Sequence, residues 1–413
     1  MIGLFCDAFE GLGVLFYVRE FARVGIAFYE LAFFRIEVQL RAVIDRAFSK
    51  IFAGIFCHTT SCNLNLAISE RLFCISPYFG RTVALQSASA IPFDKQMKIF
   101  HGIENANIQK PTVLTLGVFD GLHLGHQRIM QTVIERAKVV GAHATAITFD
   151  PHPRAVLHPE TAPPLLQTLD QRLANFEVLG IEQAIVVKFD REFASQPAEV
   201  FLSDIVHDRL HAKEVYLGKG FAFGKDRGGT IELLKAMSQK LGFVADEVDE
   251  VQIRGQRISS SAIRKLLAAG RINLARQMLG RPYGVEGVII RGNRRGHSIG
   301  FPTANLMPHN RVIPRYGVYA TATLIEGTWR KSITNIGVRP TFENTQVPSI
   351  ETYVFDFDDE LYGDVLRVRF LHRIRDERKF SGADELKAQI EKDTRRARNY
   401  FHHQGVKNML AVL

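Results

Sequence analysis

The chain has 413 residues, of which 46% are hydrophobic and 23% are charged, and its formal net charge is +9 at pH 7. This length is enough for two or three domains with their own cores, and the composition is that of an ordinary soluble globular protein. The basic residues form no concentrated stripe, which argues against a nucleic-acid-binding protein, whereas dispersed Lys and Arg side chains suit small ligands that carry phosphate.

The first 96 residues differ in composition from the rest of the chain. They contain all four cysteines, 13 of the 30 phenylalanines and only two lysines. The cysteine spacings do not match a zinc site, and the lack of cysteine after Cys74 argues against a secreted, disulfide-stapled fold. Charged residues such as Asp7, Glu10 and Arg19 interrupt the early apolar runs, so neither a signal peptide nor a transmembrane helix is predicted. We therefore expect a cytoplasmic protein without a membrane or nucleic-acid partner.

Two interpretations of this segment remain open, because it contains no chemical motif and the composition changes abruptly at Met97. One is a genuine extension, with an interfacial helix built on Phe5, Phe9 and Phe16. The other, which we favour, is a stretch translated upstream of the natural start. The predicted parts are accordingly an atypical extension at 1–96, a first domain at 97–280 and a second domain at 281–413.

Between residues 112 and 280, β-rich runs alternate with stretches of helical periodicity. The sequence predicts helices around 129–137 and at 169–179, and strands at 112–116, 144–149, 185–189 and 215–217. This alternation predicts a Rossmann-like α/β domain, in which helices cover a parallel sheet and ligands bind beyond the carboxyl ends of the strands.

Beyond residue 281 the chain becomes rich in strands. Strand-like runs separated by turn residues occur at 285–290, 317–324, 329–336, 351–357 and 365–370. This spacing predicts a small closed barrel. One long helix is predicted at 383–398, where Ser381 and Asp384 form a capping signature.

The strongest local motif is G-V-F-D-G-L-H-L-G-H at residues 117–126, between a predicted strand and a predicted helix. Gly121 and Gly125 allow a tight turn and a close approach of the backbone to a ligand. His123 and His126 are expected at the N-terminus of the helix, where free N–H groups and the helix dipole favour anions. Two imidazoles there can donate hydrogen bonds to a triphosphate and to charge that develops at an attacked α-phosphorus. The alternative, a glycine-rich turn with surface histidines, is disfavoured by the complete motif.

Three later segments could complete this first site. I-S-S-S-A-I-R at 258–264 places three hydroxyls before a helix that carries Arg264, which suits phosphate oxygens, although a serine helix cap explains the serines equally well. F-D-P-H-P at 149–153 ends a strand in a rigid turn, where His152 either contacts substrate or has a structural role. K-G-F-A-F-G at 219–224 offers two aromatic rings to a planar ligand, unless these rings are ordinary core residues.

In this order, the four segments resemble the adenylyltransferase half of bacterial bifunctional riboflavin kinase/FAD synthetases, which belongs to the H-x-G-H nucleotidylyltransferase superfamily. The resemblance implies that the phosphate of FMN attacks the α-phosphorus of ATP in line, with magnesium present and pyrophosphate released. The family usually has Asp or Asn where this chain has Gly220, which leaves the affinity for FMN open. The residues implied in catalysis or ATP binding are Gly117, Phe119, Asp120, Gly121, His123, Gly125, His126, Ser259, Ser260, Ser261 and Arg264, and those implied in flavin binding are Asp150, Phe221 and Phe223.

A second glycine-rich segment, R-R-G-H-S-I-G-F-P-T-A-N, occupies residues 294–305. Thr303 and Asn305 offer hard oxygen ligands that suit Mg²⁺ bridging the phosphates of ATP. Glycines at three positions predict a flexible arch over phosphates, unless the segment is only a glycine-rich turn. These are Gly292, Gly296 and Gly300.

Two charged residues downstream could act on a substrate bound there. Glu351, on a predicted strand, could accept the proton from an alcohol that attacks a γ-phosphate, although a glutamate on a strand is usually only solvated. Arg375 could reach a phosphate or a flavin carbonyl.

These segments, together with N-I-G-V-R-P-T at 335–341 and D-D-E-L-Y-G at 358–363, resemble the riboflavin kinase domain of the same family. The resemblance implies a six-stranded barrel in which the arch glycines and Pro302 contact ATP and Thr303 and Asn305 hold Mg²⁺. It also implies that Glu351 is the base for the ribityl 5′-hydroxyl. At His297 the family commonly has Arg, so a permanent charge near the arch is lost.

The sequence thus predicts a bifunctional enzyme that phosphorylates riboflavin to FMN and adenylylates FMN to FAD. Its ligands would be riboflavin, FMN, FAD, ATP and Mg²⁺, and its oligomeric state is left open. A class I aminoacyl-tRNA synthetase would need a lysine-rich second signature and a tRNA-binding extension, which are not found. A flavin-binding protein would not need two ATP-type sites. An adenylyltransferase with a decayed kinase barrel is disfavoured because Thr303, Asn305 and Glu351 are present.

Overall fold

A computed structural model of the chain describes residues 96–290, 300–340, 346–357 and 365–403. Several predictions fall outside these ranges: those for the N-terminal extension apart from its last residue, for Gly292, Gly296 and His297, and for the D-D-E-L-Y-G motif. Within the described ranges, no helix combines the length and the apolar composition that a membrane crossing requires.

A six-stranded parallel sheet with the order β1-β4-β3-β2-β5-β6 forms the first part of the described chain. The order reverses at β2, which has β3, β4 and β1 on one side and β5 and β6 on the other. In such sheets, ligands bind outside the carboxyl ends of the strands at the point of reversal. The strands are β1 (Lys98–His101), β2 (Thr112–Leu116), β3 (His143–Asp150), β4 (Gln183–Lys188), β5 (Ala212–Gly218) and β6 (Val244–Val248).

Helices connect these strands, and the predicted Rossmann-like domain is confirmed. They are α1 (Leu124–Val140), α2 (Pro153–Leu157), α3 (Leu169–Leu179), α4 (Arg191–Ala194), α5 (Ala198–Val200, followed by a π-helix at Phe201–Arg209), α6 (Ile231–Leu241), α7 (Ser260–Ala268) and α8 (Ile272–Leu279). A two-stranded hairpin, β7 (Gln252–Ile253) and β8 (Gln256–Arg257), precedes α7.

Helix α1 forms because its apolar side chains recur at helical spacing and cover one face of the sheet. The buried set is Ile129, Met130, Val133, Ile134 and Ala137. The helix ends at Gly141, which adopts the left-handed conformation (φ 65°) that favours glycine at this position. The helix N-terminus is thereby fixed at the end of β2, where the sheet order reverses.

Six antiparallel strands close into a barrel in the order β10-β13-β12-β11-β14-β9, which confirms the predicted six-stranded barrel. Apolar side chains such as Tyr319, Ile336 and Phe370 fill its interior together with a ladder of buried hydroxyls that bond to one another. The strands are β9 (Tyr283–Ile290), β10 (Ala304–Pro308), β11 (Gly317–Ile325), β12 (Thr328–Pro340), β13 (Gln346–Val354) and β14 (Val365–Asp376).

Helix α9 (Ala383–His402) packs on the outside of the barrel, and its start corrects one prediction. The N-cap residue is Gly382, in an extended conformation and without a side-chain cap, so the predicted capping role of Ser381 with Asp384 is wrong. Instead, the backbone N–H and hydroxyl of Ser381 both donate to the Glu385 carboxylate at 2.9 Å. The glycine moves the helix start by one residue, and Glu385 in the first turn binds the residue that precedes the cap.

Candidate functional site

The turn between β2 and α1 carries the G-V-F-D-G-L-H-L-G-H motif at the point where the sheet order reverses. Phe119 and Gly121 both have positive φ (52° and 81°), and Phe119 is buried. Its ring meets the rings of His126 and Phe176 edge-on, at centroid distances of 5.3 and 5.7 Å. The aromatic contacts thus hold a strained turn in place and orient His126 above the sheet.

The two histidines lie at the N-terminus of α1, as predicted, and their rings are stacked. The ring centroids are 3.6 Å apart with an interplanar angle of 18°. His123 is the N-cap residue, and its Nδ1 accepts a hydrogen bond from the backbone N–H of His126 at 3.3 Å. The Nδ1 of His126 is buried and has no hydrogen-bond partner among the described residues.

Both imidazoles are neutral near pH 7. Burial lowers the pKa of His123 to about 4, and the charges of Arg281 and Arg257 add to this effect. Burial also lowers the pKa of His126 well below its usual value, with further contributions from His123, Arg172 and Arg281. Because Nδ1 of neutral His123 is an acceptor, its proton lies on Nε2, which makes this atom a hydrogen-bond donor.

Asp120 and Arg264 join the histidine turn to the S-S-S-A-I-R segment. The Arg264 Nη2–Asp120 Oδ2 distance is 2.6 Å, and the two side chains are only 15% and 3% exposed. Asp120 also accepts from the backbone N–H groups of Leu166 and Gln167, at 2.9 and 3.2 Å. Burial raises the pKa of this carboxyl, and the hydrogen bonds and Arg264 oppose that rise. Asp120 therefore fixes the geometry of the turn, and a direct contact with ATP stays a prediction.

The three serines of that segment have different positions. Ser259 caps α7 by accepting from the backbone N–H of Ala262 at 3.2 Å, which was the structural alternative for this motif. Ser260 donates its hydroxyl hydrogen to the carbonyl oxygen of Asp120 at 2.8 Å, and Ser261 is exposed. The segment thus lies against the histidine turn, 140 residues away in sequence.

Arg172 is a residue of this region that sequence reasoning missed. Its side chain is fully buried, and Nη1 donates to the Thr148 hydroxyl at 2.8 Å and to the Phe149 carbonyl at 3.0 Å. Its Nε and Nη2 atoms have no partner among the described residues, and burial lowers its pKa. The signal was its spacing, because Arg172 stands four residues before Phe176 in the apolar stripe of α3, where a charged residue requires a reason.

The residues predicted to bind flavin differ in how far they are exposed to solvent. Asp150 is exposed at the end of β3, and Phe221 is half-buried. Phe223 is buried, with its ring centroid 5.7 Å from that of Phe201, which agrees with the core-packing alternative. Gly220 has φ of 71°, a conformation that Asn and Asp also tolerate, so the family's usual residue would fit this backbone.

His152 has a structural contact in the rigid turn after β3. Its Nδ1 accepts from the backbone N–H of Arg154 at 3.0 Å and so caps α2. Burial lowers its pKa to about 4, and the charges of Arg264, Arg172 and Arg154 contribute to the same shift. The alternative of a structural histidine therefore has direct support from the geometry.

A second polar group crosses three strands of the barrel. The strand register places Asn305 opposite Glu351, and Glu351 opposite Asn335. Directly opposite residues of antiparallel strands have Cβ atoms about 4.5–5.5 Å apart on the same face of the sheet, so the three side chains form a row. Glu351 also accepts a hydrogen bond from the Ser349 hydroxyl at 3.1 Å. Sequence reasoning had not selected Asn335, although it begins the N-I-G-V-R-P-T motif.

The oxygen atoms near this row suit Mg²⁺. Thr303 immediately precedes β10, and Asn305 is the second residue of that strand. Among the residues in the described ranges there is no group of three or more His, Cys, Asp and Glu that could hold a metal by itself. A hydroxyl and an amide oxygen fit an ion that takes its other ligands from phosphate and water, which is the usual binding mode of Mg²⁺.

The remaining residues predicted for the kinase site have mixed positions. Gly300 has φ of 86°, a backbone conformation that favours glycine, and Pro302 is exposed. Arg375 pairs with Asp393 of α9 at 2.7 Å, where the side chains are 16% and 2% exposed. This ion pair ties α9 to β14, and contact of Arg375 with a ligand stays a prediction.

Two family models match this chain, one after the other. The model described as FAD synthetase matches residues 105–262, and the model described as riboflavin kinase matches residues 279–401. A protein of Haemophilus influenzae named bifunctional riboflavin kinase/FMN adenylyltransferase is 38% identical over 308 residues, which are 74% of this chain and 100% of that protein. A Bacillus subtilis protein of the same name is 38% identical over 298 residues, 71% of this chain and 93% of that one.

One solved structure is similar to this chain over most of its length. It is the crystal structure of a Streptococcus pneumoniae protein named a macrolide-efflux protein. The two chains are 29% identical with a TM-score of 0.68, and the match covers 73% of this chain and 99% of that one.

Proposed function

We propose that two separate sites perform the two reactions of this chain, which belongs to the family of bifunctional riboflavin kinase/FMN adenylyltransferases. The chain converts riboflavin to FMN and FMN to FAD, with ATP as the nucleotide in both steps. The observation that carries the proposal is the placement of the motifs. The stacked histidines lie at the point of strand-order reversal of the α/β sheet, and Glu351 lies on the barrel.

In the first domain, we assign adenylyl transfer to the histidine turn. An oxygen of the FMN phosphate attacks the α-phosphorus of ATP, a new P–O–P bond forms, and the bond to the β-phosphate breaks with release of pyrophosphate. His123 and His126 are neutral, so each ring has one N–H group. These groups donate hydrogen bonds to the triphosphate as charge builds at the α-phosphorus. The free N–H groups at the start of α1 support the same anion.

In the second domain, we assign phosphorylation of riboflavin to the Asn305–Glu351–Asn335 row. The Glu351 carboxylate accepts the proton of the ribityl 5′-hydroxyl as its oxygen attacks the γ-phosphorus of ATP, and ADP leaves. Thr303 and Asn305 would hold Mg²⁺, which when bound neutralises charge on the phosphates. The two asparagines flank Glu351 on neighbouring strands.

The assignment of the histidines is tested by His126→Ala and His123→Ala. Loss of one donor to a developing oxyanion typically costs about 10²-fold or more in rate, so FAD formation from FMN and ATP should fall by that factor. Phosphorylation of riboflavin should stay within about twofold of normal, because it occurs in the other domain. Both products are separated by chromatography.

The control for this test is His207→Ala, which changes an exposed histidine that pairs with Asp208. It should leave both reactions unchanged. Normal FAD formation in His126→Ala and His123→Ala would remove the histidines from the mechanism. Equal loss of both reactions in folded protein would contradict the assignment of two sites.

A further inference from the structure

Arg281 lies where the first domain joins the barrel. It follows Gly280, the C-cap of α8, and stands two residues before Tyr283, the first residue of β9. In sequence it therefore belongs to the junction, and the histidine turn lies about 160 residues earlier in the chain.

The guanidinium of Arg281 nevertheless binds the histidine turn. Nη2 donates to the carbonyl oxygen of Gly121 at 2.9 Å, and Nη1 donates to the carbonyl oxygens of Leu122 at 3.0 Å and Leu279 at 3.3 Å. Leu122 immediately precedes His123. Arg281 thus holds the two peptide groups that set the position of the first catalytic histidine.

Gln127 holds two of the same three carbonyl oxygens. Its Nε2 donates to Leu122 and to Leu279, both at 2.8 Å. A neutral amide is therefore sufficient to connect the turn with the end of α8, and that connection alone does not account for a cation at position 281.

The charge of Arg281 has no carboxylate partner among the described residues. Its hydrogen bonds go to neutral carbonyl oxygens, and the charged group that acts on it most is another cation, Arg369. Burial, together with Arg369, lowers its pKa to about 10, so it is still charged at pH 7. A buried cation without an anion is costly, and strongly perturbed ionisable groups cluster at functional sites.

We propose that Arg281 is a positioning residue for adenylyl transfer, which fixes the histidine turn from the domain junction and supplies an uncompensated positive charge beside the triphosphate of ATP. This inference rests on the proposed role of His123 and His126. It assigns to a residue at the edge of the barrel a part in the reaction of the other domain.

The same charge acts on the two histidines. Arg281 contributes to the low pKa of both His123 and His126, together with burial and with Arg257 for the first ring and His123 and Arg172 for the second. Removing the charge of Arg281 should raise the pKa of both rings, whereas removing only hydrogen bonds to the histidine turn should not. The histidine pKa therefore distinguishes the charge of Arg281 from its hydrogen bonds, because the loss of a purely structural contact would leave that pKa unchanged.

Three variants test the proposal. Arg281→Met removes both the hydrogen bonds to the histidine turn and the charge, and Arg281→Lys keeps the charge. Gln127→Met removes only the hydrogen bonds of a neutral amide. In Arg281→Met, we expect kcat/KM for ATP in FAD formation to fall about 10²-fold or more, as for a small misplacement of a reacting group. The expected loss is smaller in Arg281→Lys, and smaller again in Gln127→Met. Phosphorylation of riboflavin should stay within about twofold of normal in all three.

The pKa of each histidine is measured in the same proteins by NMR of labelled imidazole. It should rise in Arg281→Met and stay low in Arg281→Lys and Gln127→Met. The matched control is Arg369→Met, which removes a neighbouring cation that donates to the Pro282 carbonyl and not to the histidine turn. FAD formation in this control should stay within about twofold of normal.

The inference and the function on which it rests fail in different ways. If Arg281→Met forms FAD at the normal rate while His126→Ala does not, Arg281 has no part in the reaction. If Arg281→Met and Gln127→Met lose activity equally with unchanged histidine pKa values, Arg281 acts only through its hydrogen bonds and the proposed charge role is wrong. Normal FAD formation in His126→Ala would instead overturn the proposed site. Should Arg281→Met fail to fold, Arg281→Lys decides the positioning role: a normal kcat/KM there would contradict it, because lysine keeps the charge but not the paired hydrogen bonds to Gly121 and Leu122.

Discussion

His123 combines the cap of α1, the stack on His126 and a pKa of about 4. Because this pKa is lower than the value near 6.5 of an unfolded histidine, the unfolded state binds more protons between pH 4 and pH 6.5. The contribution of His123 to stability is therefore complete above pH 6.5 and is lost as the pH falls toward 4.

We predict that His123→Asn loses less stability on acidification than the unchanged protein. Asparagine can still cap α1, so the variant removes mainly the titration. Between pH 6 and pH 5, the free energy of unfolding should fall by about 1 kcal/mol less in the variant. Urea unfolding at the two pH values measures the difference. An equal fall in both proteins would mean that the pKa of His123 is not depressed.

Single residues were predictable where a motif carries them and not where burial defines them. His123 and His126 were found because a glycine-rich turn before a helix is visible in sequence, and the structure stacks them at the predicted helix end. Arg172 and Arg281 were missed because their environments come from distant chain segments. The place of Arg172 in the apolar stripe of α3 was a signal of its burial, whereas no local pattern reveals that Arg281 reaches carbonyls near residue 121.

Among the elements, strand β9 depends on a glycine for its place in the barrel. Gly287 pairs with both β10 and β14, and a Cβ atom there would overlap the Met307 carbonyl and the Cα of Pro308. A methyl group at this position must push β9 and β10 apart. Since β10 carries Asn305, the polar row on the barrel would move with it.

Gly287→Ala should therefore damage the kinase reaction selectively. We expect phosphorylation of riboflavin to fall at least about tenfold and stability to fall by about 1–3 kcal/mol, the usual cost of overpacking. FAD formation from supplied FMN should be affected much less. Gly382→Ala is the matched control, since nothing lies within 4 Å of a Cβ atom there and the backbone is extended. Unchanged kinase activity in Gly287→Ala would show that β10 does not position the site.

The type of most elements could be predicted, whereas the ends of several could not. The apolar periodicity of α3 gave bounds of 169–179, which the structure has as Leu169–Leu179. Strand β12 runs to Pro340, beyond the predicted end at 336, because pairing with β13 continues past the apolar alternation. The short edge strand β1 was not predicted, since only its pairing with β4 makes it a strand.

At the scale of the whole molecule, the two domains share a buried hydrogen-bonded contact. The Tyr283 hydroxyl, at the start of the barrel, donates to the Leu166 carbonyl at 3.0 Å. Leu166 in turn donates its N–H to Asp120 in the histidine turn. Asn310 reinforces the contact by donating to the same carbonyl oxygen at 3.2 Å and to Gln171 at 2.8 Å. The barrel thus supports the segment that holds the adenylyltransferase motif.

A chain that begins at Met97 should fold and retain both activities within about twofold. Met97 is buried, and its N–H donates to Glu177 at 3.1 Å, a contact that a terminal ammonium at this position would keep. The test is solubility and both activities of this shortened chain. A chain that begins at Ile103 is the control, and it should be less stable because it lacks β1. An inactive chain from Met97 would show that the extension at 1–96 belongs to the fold.

If two independent sites act in succession through FMN, each site can be removed without the other. Glu351→Gln keeps the shape of the base but removes its basicity, which is typically worth about 10²–10⁴-fold in rate. We expect it to form almost no FMN from riboflavin and to convert supplied FMN to FAD at the normal rate. His126→Ala should do the opposite and accumulate FMN.

The most direct measurement combines these two variants in one solution with riboflavin, ATP and Mg²⁺ and follows FAD by chromatography. Neither variant alone should make appreciable FAD from riboflavin. The mixture should make it, because FMN released by His126→Ala is a substrate for the intact histidine site of Glu351→Gln. A mixture that forms no FAD, with each folded variant deficient in both reactions, would contradict the two-site account.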